Sequence, residues 1–254
     1  MTFISRNKRQ FAYFSAQLGE RDWHGKDVLD FGGNIGNILQ DPNSTIDQER
    51  YWCIDVDKEA VEMGRRSYPK SHWLSYNRYC FFFNPHGVPH LPLPELGQAF
   101  DYIIAYSVFT NTPRTDLIEL VDALLGLLKQ DGVLAFTFID PDVYPWPEEF
   151  HGNNLHWRIK EIQNDDPDRA IDLQALLNKA EGASWCILVN GDDLYIENEN
   201  IKTYQPDQQR GCHVFYTARY MKTLYPQATV LPPASDEMQS CCIIRPSSPK
   251  GSVH

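Results

Sequence analysis

The sequence predicts an α/β fold: a doubly wound, mostly parallel, seven-stranded sheet with an antiparallel C-terminal edge hairpin and a lid-like insert after strand five. Three observations predict it. Strand-like apolar runs alternate with helical patterns from residue 26 to 139, as successive strand–helix units do. The run Val28-Leu29-Asp30-Phe31-Gly32-Gly33-Asn34-Ile35-Gly36 places a strand, an acid and a glycine-rich turn in immediate succession, the pattern by which a parallel sheet presents a strand tip to a cofactor. Two short strand patterns then follow one another near the C-terminus with no helix between them.

Each element follows from local pattern. Residues 5 to 19 read as a helix, with Phe11, Phe14 and Leu18 on one face and Gly19 as its stop. Lys26 to Asp30 is the first strand, and the helix after it is cut short at Asp41-Pro42-Asn43-Ser44. Tyr51 to Asp55 is a second strand and Lys58 to Ser67 a helix, with Val61 and Met63 among its apolar positions. Trp73 to Tyr76 is a third strand, followed by an irregular stretch rich in Pro, Gly and aromatics to residue 98. Phe100 to Tyr106 is a buried fourth strand. Leu117, Val121, Leu124 and Leu128 predict an amphipathic helix from 117 to 128, ended by Asp131-Gly132, and Val133 to Ile139 is a fifth strand. The alternation then stops. Between 141 and 213 the pattern gives a helix at Ile171 to Ala180, a strand at Trp185 to Val189 and much loop. Thr217 to Leu224 is a helix, and Ala228 to Leu231 and Met238 to Ile244 are the closing strands. The chain thus reads as one domain: a helical cap at 1–25, a cofactor-binding core at 26–140 completed by 214–246, an insert at 141–213 and a polar tail at 247–254.

Composition narrows the function. A net charge of −11 argues against nucleic acid as the main partner, since phosphate backbones select the opposite sign. No apolar run approaches the roughly 20 residues needed to span a bilayer, and the start carries no secretory pattern. The six cysteines, at 53, 80, 186, 212, 241 and 242, form no Cys-x-x-Cys pair. They read as free thiols, mostly buried, in a reducing cytoplasm. His151 and His156 diverge on a helix, and Gly191-Asp192-Asp193 reads as a turn, so no metal is expected.

Glycine spacing selects the cofactor. A dinucleotide fingerprint counted from Gly32 meets Asn34 and Asn37 where glycines belong. The spacing Gly-x-Gly-x-Gly gives Gly32, Asn34 and Gly36, and Asn is the residue after glycine that best tolerates positive φ. Asp55 ends strand two, placed to bind both hydroxyls of a ribose. Asp30 also reads as a strand-end cap, and Asp55 or Asp57 as the cap of the helix at 58.

On these residues the chain resembles the class I S-adenosylmethionine-dependent methyltransferases, closely over 26–140 and more loosely over 214–245. The resemblance implies S-adenosylmethionine as cofactor, with Asp30, Gly32, Gly33, Asn34 and Gly36 against its methionine part. It further implies Asp55 on the ribose, Val56 beside the adenine, Asn77 at the adenine amine, and Tyr106 and Ser107 beside cofactor and substrate. The chain departs from the pattern at Asn34, at the short helix before Pro42, and at Asn77, where Asp is commoner.

The resemblance implies methyl transfer to an oxygen or nitrogen of a small metabolite such as a natural product or modified peptide. The acceptor would lie over the carboxyl ends of the strands, beside the N-terminal helix, the segment Val108-Phe109-Thr110-Asn111 and the loop from Asp140 onward, beneath the insert as a substrate-covering lid. Tyr144, Trp146, Phe150, Trp157 and Trp185 offer it apolar walls. His151, His156, His213 and Tyr106 are the candidate catalytic groups, since an imidazole titrates near pH 6.5. Residues 141–200 carry 13 acidic and 4 basic side chains. That is either a solvated face or a mouth attracting a cationic acceptor, while the aromatics suit a cation or a neutral ring equally. Two rivals stand beside this reading: a cofactor-binding enzyme of the same fold with a non-methylating reaction, and an inactive partner-binding relative.

Overall fold

The computed structural model describes residues 9–143, 153–191, 193–200, 211–233 and 238–246. His151, Tyr144, Trp146, Phe150, Asp192, the start of the first predicted helix and the polar tail lie outside the described residues.

A helix, α1, at Gln10–Leu18 ends at Gly19 in the left-handed conformation (φ 70°). The strands β1 Val28–Phe31, β2 Tyr51–Asp55, β3 His72–Ser75, β4 Phe100–Ala105, β5 Leu128–Phe138, β9 Thr229–Leu231 and β10 Ser240–Ile244 form a seven-stranded sheet in the order β3-β2-β1-β4-β5-β10-β9. Pairing is parallel from β3 to β5. The strand β10 runs antiparallel to β5 and to β9, which makes the predicted edge hairpin. The chain reverses direction from β1 to β4, and this switch point opens a crevice at the carboxyl ends of the strands.

Alternation along each strand sends side chains to two cores. One face packs Val28, Cys53, Ile104 and Cys241 against Phe11 and Phe14 of α1 and Val61 of α2 (Lys58–Ser67). The other packs Leu29, Ile103, Phe136 and Cys242 against Leu117, Val121 and Leu124 of α3 (Arg114–Leu125) and Met221 of α6 (Ala218–Leu224). Helices on both faces of a mostly parallel sheet make the predicted doubly wound fold.

The local differences have physical causes. The segment after β1 winds only into a 3₁₀ turn, Asn37–Gln40, before Pro42. Met63 is solvent-exposed on α2 rather than part of its apolar face. Helix α3 ends at Leu125, not Leu128: the Gly126 N–H already closes the last turn onto Asp122 and Leu124. Leu128 instead opens β5 opposite Phe100, and the register shifts before Tyr102 meets Val133. Asp131-Gly132 therefore sits inside a bulged strand, where a Cβ on Gly132 would lie 2.7 Å from the Phe100 carbonyl oxygen.

The insert is more ordered than its sequence pattern predicts. It holds α4 (Asn154–Asp165) and α5 (Leu173–Ala180), and a second, antiparallel sheet of β6 (Trp185–Asn190), β7 (Leu194–Asn198) and β8 (Gly211–Tyr216) in the order β7-β6-β8. One face of this sheet, with Leu188, Ile196 and Phe215, packs on Leu155, Ile159 and Leu176 of its helices. The other, with Ile187, Val189, Val214 and Tyr216, joins the main core. The Val214 N–H donates to the Thr110 carbonyl (2.7 Å), and the Tyr216 hydroxyl to that of Thr112 (2.7 Å). The second sheet is thereby fixed over the segment that follows β4.

Candidate active site

The turn after β1 adopts positive φ at Gly32 (76°), Asn34 (55°) and Gly36 (82°). Asn34 takes a left-handed conformation that costs asparagine less than any other residue with a side chain. The turn also needs missing side chains. A Cβ on Gly33 would lie 2.5 Å from the Asp30 carboxyl, and one on Gly36 would lie 2.9 Å from the Trp73 ring. The Gly32 N–H donates to the Ile54 carbonyl (2.7 Å), tying the turn to β2.

The acid ending β2 completes the structure. Asp55 is buried, and its Oδ2 accepts the Asn34 N–H at 2.7 Å while Oδ1 accepts the Asp57 N–H at 2.8 Å. A carboxylate offers about four acceptor positions, so hydrogen-bonding capacity remains for a ligand's hydroxyls. Burial pushes the Asp55 carboxyl above its ordinary range, opposed by those backbone bonds. The cap of α2 is Asp57, which accepts from the Glu59 and Ala60 N–H groups. Asp55 is therefore not spent on capping.

These groups surround one cavity of about 360 Å³, within the range of small-molecule sites. Gly32, Asn34, Asp55, Val56, Tyr106 and Ser107 line it together. Gly33, Gly36 and Asp30 do not. The Asp30 side chain lies buried beneath the turn, where it accepts the Tyr51 hydroxyl at 2.7 Å. Burial pushes its carboxyl up to about 7, with the Tyr51 hydrogen bond opposing and Asp55 adding. Asn77 is exposed and off the cavity wall. Its side-chain oxygen accepts from Asn84 (3.1 Å) and its carbonyl from the Val88 N–H (2.8 Å), so it braces the loop after β3.

At the tip of β4, Ser107 is held at φ 60°. Its N–H donates to Thr137 Oγ1 (2.7 Å), and its Oγ accepts from the Gln239 amide (3.0 Å), which in turn accepts from the Thr137 hydroxyl. Tyr106 packs edge-on against Tyr13 and Phe14 of α1, and Gln10 of the same helix reaches the cavity.

Of the predicted histidines, the described His156 and His213 lie elsewhere. His213, on β8, takes a hydrogen bond from Arg158 (2.7 Å), and burial with that guanidinium pulls its pKa down to about 3. His156, on α4, is also held below its ordinary value by burial and by Lys160. Neither lines the cavity. Trp157 and Trp185 do not line it either; Trp185 packs against the main core.

Asn111 apart, which lies in the segment the sequence places beside the acceptor, the other lining residues had no signal in the sequence pattern. Arg78, almost fully buried, pairs with Asp116 and Glu119 and donates to the Leu91 carbonyl. Its guanidinium, with His90, draws the Glu119 carboxyl down to about 2. His90, Asp116 and Glu119 bring three ligand-type atoms within 4.8 Å, but both carboxylates already face Arg78. Tyr79, Phe81, Phe83, Asn111, Val189 and Tyr195 complete much of the wall.

Residues 29–134 match the family model described as a methyltransferase domain. The match spans β1 to the middle of β5, the segment that carries the turn, Asp55 and Ser107. The match covers less than half of the chain, and the fold around it is shared with solved S-adenosylmethionine-dependent methyltransferase structures. A S-adenosylmethionine-dependent methyltransferase from Clostridium acetobutylicum ATCC 824 superposes with a TM-score of 0.50 at 12% identity, covering 94% of this chain and 91% of that one. The PH0226 protein from Pyrococcus horikoshii OT3 gives 0.51 at 11% identity over 96% and 91% of the two chains. The glycopeptide N-methyltransferase MtfA gives 0.51 at 9% identity over 94% and 90%. At these identities the likeness is one of fold. No curated protein sequence matches the chain significantly.

Proposed function

We propose that this enzyme transfers a methyl group from S-adenosylmethionine to an oxygen or nitrogen of a small molecule. The observation that carries the reading is the Asn34 N–H to Asp55 Oδ2 hydrogen bond. It joins the glycine-rich turn to the buried acid of β2 at the wall of one cavity. When bound, S-adenosylmethionine supplies a methyl on a sulfonium; transfer makes a carbon–oxygen or carbon–nitrogen bond and leaves the carbon–sulfur electron pair on sulfur. Gly32 and Asn34 would admit the methionine part, Asp55 would accept from the ribose hydroxyls, and Val56 would lie against the adenine.

The protein's own work is alignment and exclusion of water, which supply much of the rate in such a displacement. Ser107, locked by Thr137 and Gln239, offers a fixed hydroxyl beside the cofactor space. Asn111 and Thr112 extend that polar edge toward the insert, whose Val189 and Tyr195 would cover the site. A neutral amine attacks with its lone pair as it stands; a hydroxyl releases its proton as the bond forms. We place the enzyme in the cytoplasm, on the buried thiols of Cys53, Cys186, Cys241 and Cys242.

The test is incubation with methyl-labelled S-adenosylmethionine and a cell extract separated into small molecules and macromolecules. The proposal predicts protein-dependent label in the small-molecule fraction. Label confined to macromolecules would contradict the small acceptor, and consumption of the cofactor without any labelled acceptor would favour a non-methylating reaction.

A further inference from the structure

We infer that the acceptor is an uncharged aromatic small molecule, held between the loop after β3 and the β6–β7 ladder of the insert. The inference rests on the methyl-transfer reading, which gives the cofactor the Gly32–Asp55 side of the cavity and leaves the insert side for the acceptor.

The walls of that side are apolar and ring-bearing. Val189 and Tyr195 stand directly opposite each other in the β6–β7 ladder, and both face the cavity. Phe81 and Phe83 approach from the loop after β3. That loop reaches the insert, since the Phe82 ring lies 5.8 Å from the His213 ring of β8. Phe82 is 40% exposed and Phe83 59%. Contiguous aromatics left open to water at the mouth of a cavity mark a surface that a ligand covers. Rings at such a site gain from edge-on or offset stacking with an aromatic guest, beyond the area buried.

The charges in the wall are already engaged by other groups. Among the described residues only Asp55, Arg78 and Asp116 line the cavity with charge. Asp55 accepts two backbone N–H groups on the cofactor side, and Arg78 faces both Asp116 and Glu119. An ionic acceptor would lose its hydration there; an anion would meet no free cation, and a cation only carboxylates already engaged by Arg78 or by backbone N–H groups. The acidic insert does not change this: Glu197 is buried but does not line the cavity, and its other described acids are used elsewhere or face water. Asp172 caps α5, Glu199 accepts from the Ser184 N–H, and Glu181 and Asp193 are exposed. None of them lines the cavity. Glu197 apart, the charge of the insert's described residues therefore belongs to a solvated face, and the wall favours a neutral ring over the cationic acceptor.

The experiment compares three probes sharing one ring system at pH 7: 2-naphthol, 2-naphthoate and 2-naphthylmethylammonium. Each is titrated calorimetrically into the full chain saturated with S-adenosylhomocysteine, whose own binding is measured first. The inference predicts that 2-naphthol binds about tenfold or more tightly than either ion, the equivalent of one well-formed aromatic contact plus an avoided desolvation. Phe83→Ala and Tyr195→Ala should each weaken 2-naphthol roughly tenfold while S-adenosylhomocysteine binds as before. Phe83 is exposed, so its substitution leaves the fold intact. An ion that binds as tightly as 2-naphthol, no probe binding at all, or full affinity in both variants would overturn the inference. Absence of S-adenosylhomocysteine binding would overturn the methyl-transfer reading, and the inference with it.

Discussion

Asp30 and Asp55 lie near the carboxyl ends of neighbouring strands, with Asp30 opposite Cys53 and Asp55 two residues further on, yet they face different surroundings. Asp55 meets backbone N–H groups and the cavity; Asp30 meets the Tyr51 hydroxyl beneath the turn. The folded chain holds the Asp30 carboxyl up at about 7, above the ordinary aspartate value of about 3.9. It therefore binds the proton more tightly than the unfolded chain does. The resulting stability is full below the unfolded value and is lost as pH rises through about 7. Asp30→Asn should flatten the fall in stability between about pH 4 and pH 7, as read by denaturant unfolding at several pH values. An unchanged slope would place the effect on another group. The turn itself was legible because its signal is local: glycine spacing, asparagine's tolerance of positive φ, and an acid at the next strand end. Arg78 was not legible, because its partners Asp116 and Glu119 lie 38 and 41 residues away. Asn77 carried the right chemistry, but a neighbouring amide, Asn84, draws it into the loop.

The element that orients the turn is β3, through Trp73. Its ring lies against Gly36 of the turn and Gly64 of α2, where a Cβ would come within 2.2 Å of a ring carbon. In an exposed helix, Gly→Ala stabilises by about 1 kcal/mol. Here overpacking should outweigh that gain, so Gly64→Ala is predicted to destabilise by about 1–3 kcal/mol in denaturant unfolding. A stabilised variant would show that the ring moves freely. Elements with strong periodicity and clear stops, such as β2 and α2, match their predicted bounds. The end of α3 did not, because the apolar period of Leu117, Val121 and Leu124 runs on to Leu128 although the chain has already turned at Gly126. In the insert, Leu155, Ile159 and Ile162 do form a helical stripe, but dense polar residues around it masked the period. The strands β7 and β8 lack the local pattern that a separate two-faced sheet would show in isolation, since one face is covered by the main core.

At the scale of the whole molecule, the parallel order of β3 to β5 opens a crevice at the strand ends, and the insert's sheet is bonded across it through Thr110 and Thr112. No helix among the described residues is long and apolar enough to cross a membrane. The account's central claim is that the turn and Asp55 hold the cofactor. Calorimetric titration with S-adenosylhomocysteine tests it most directly, on the natural chain and on Asp55→Ala. The account predicts one-to-one binding by the natural chain, weakened in the variant by about 1.5–3 kcal/mol, the scale of hydrogen bonds to a charged group. No binding by the natural chain, or equal affinity in the two, would contradict it.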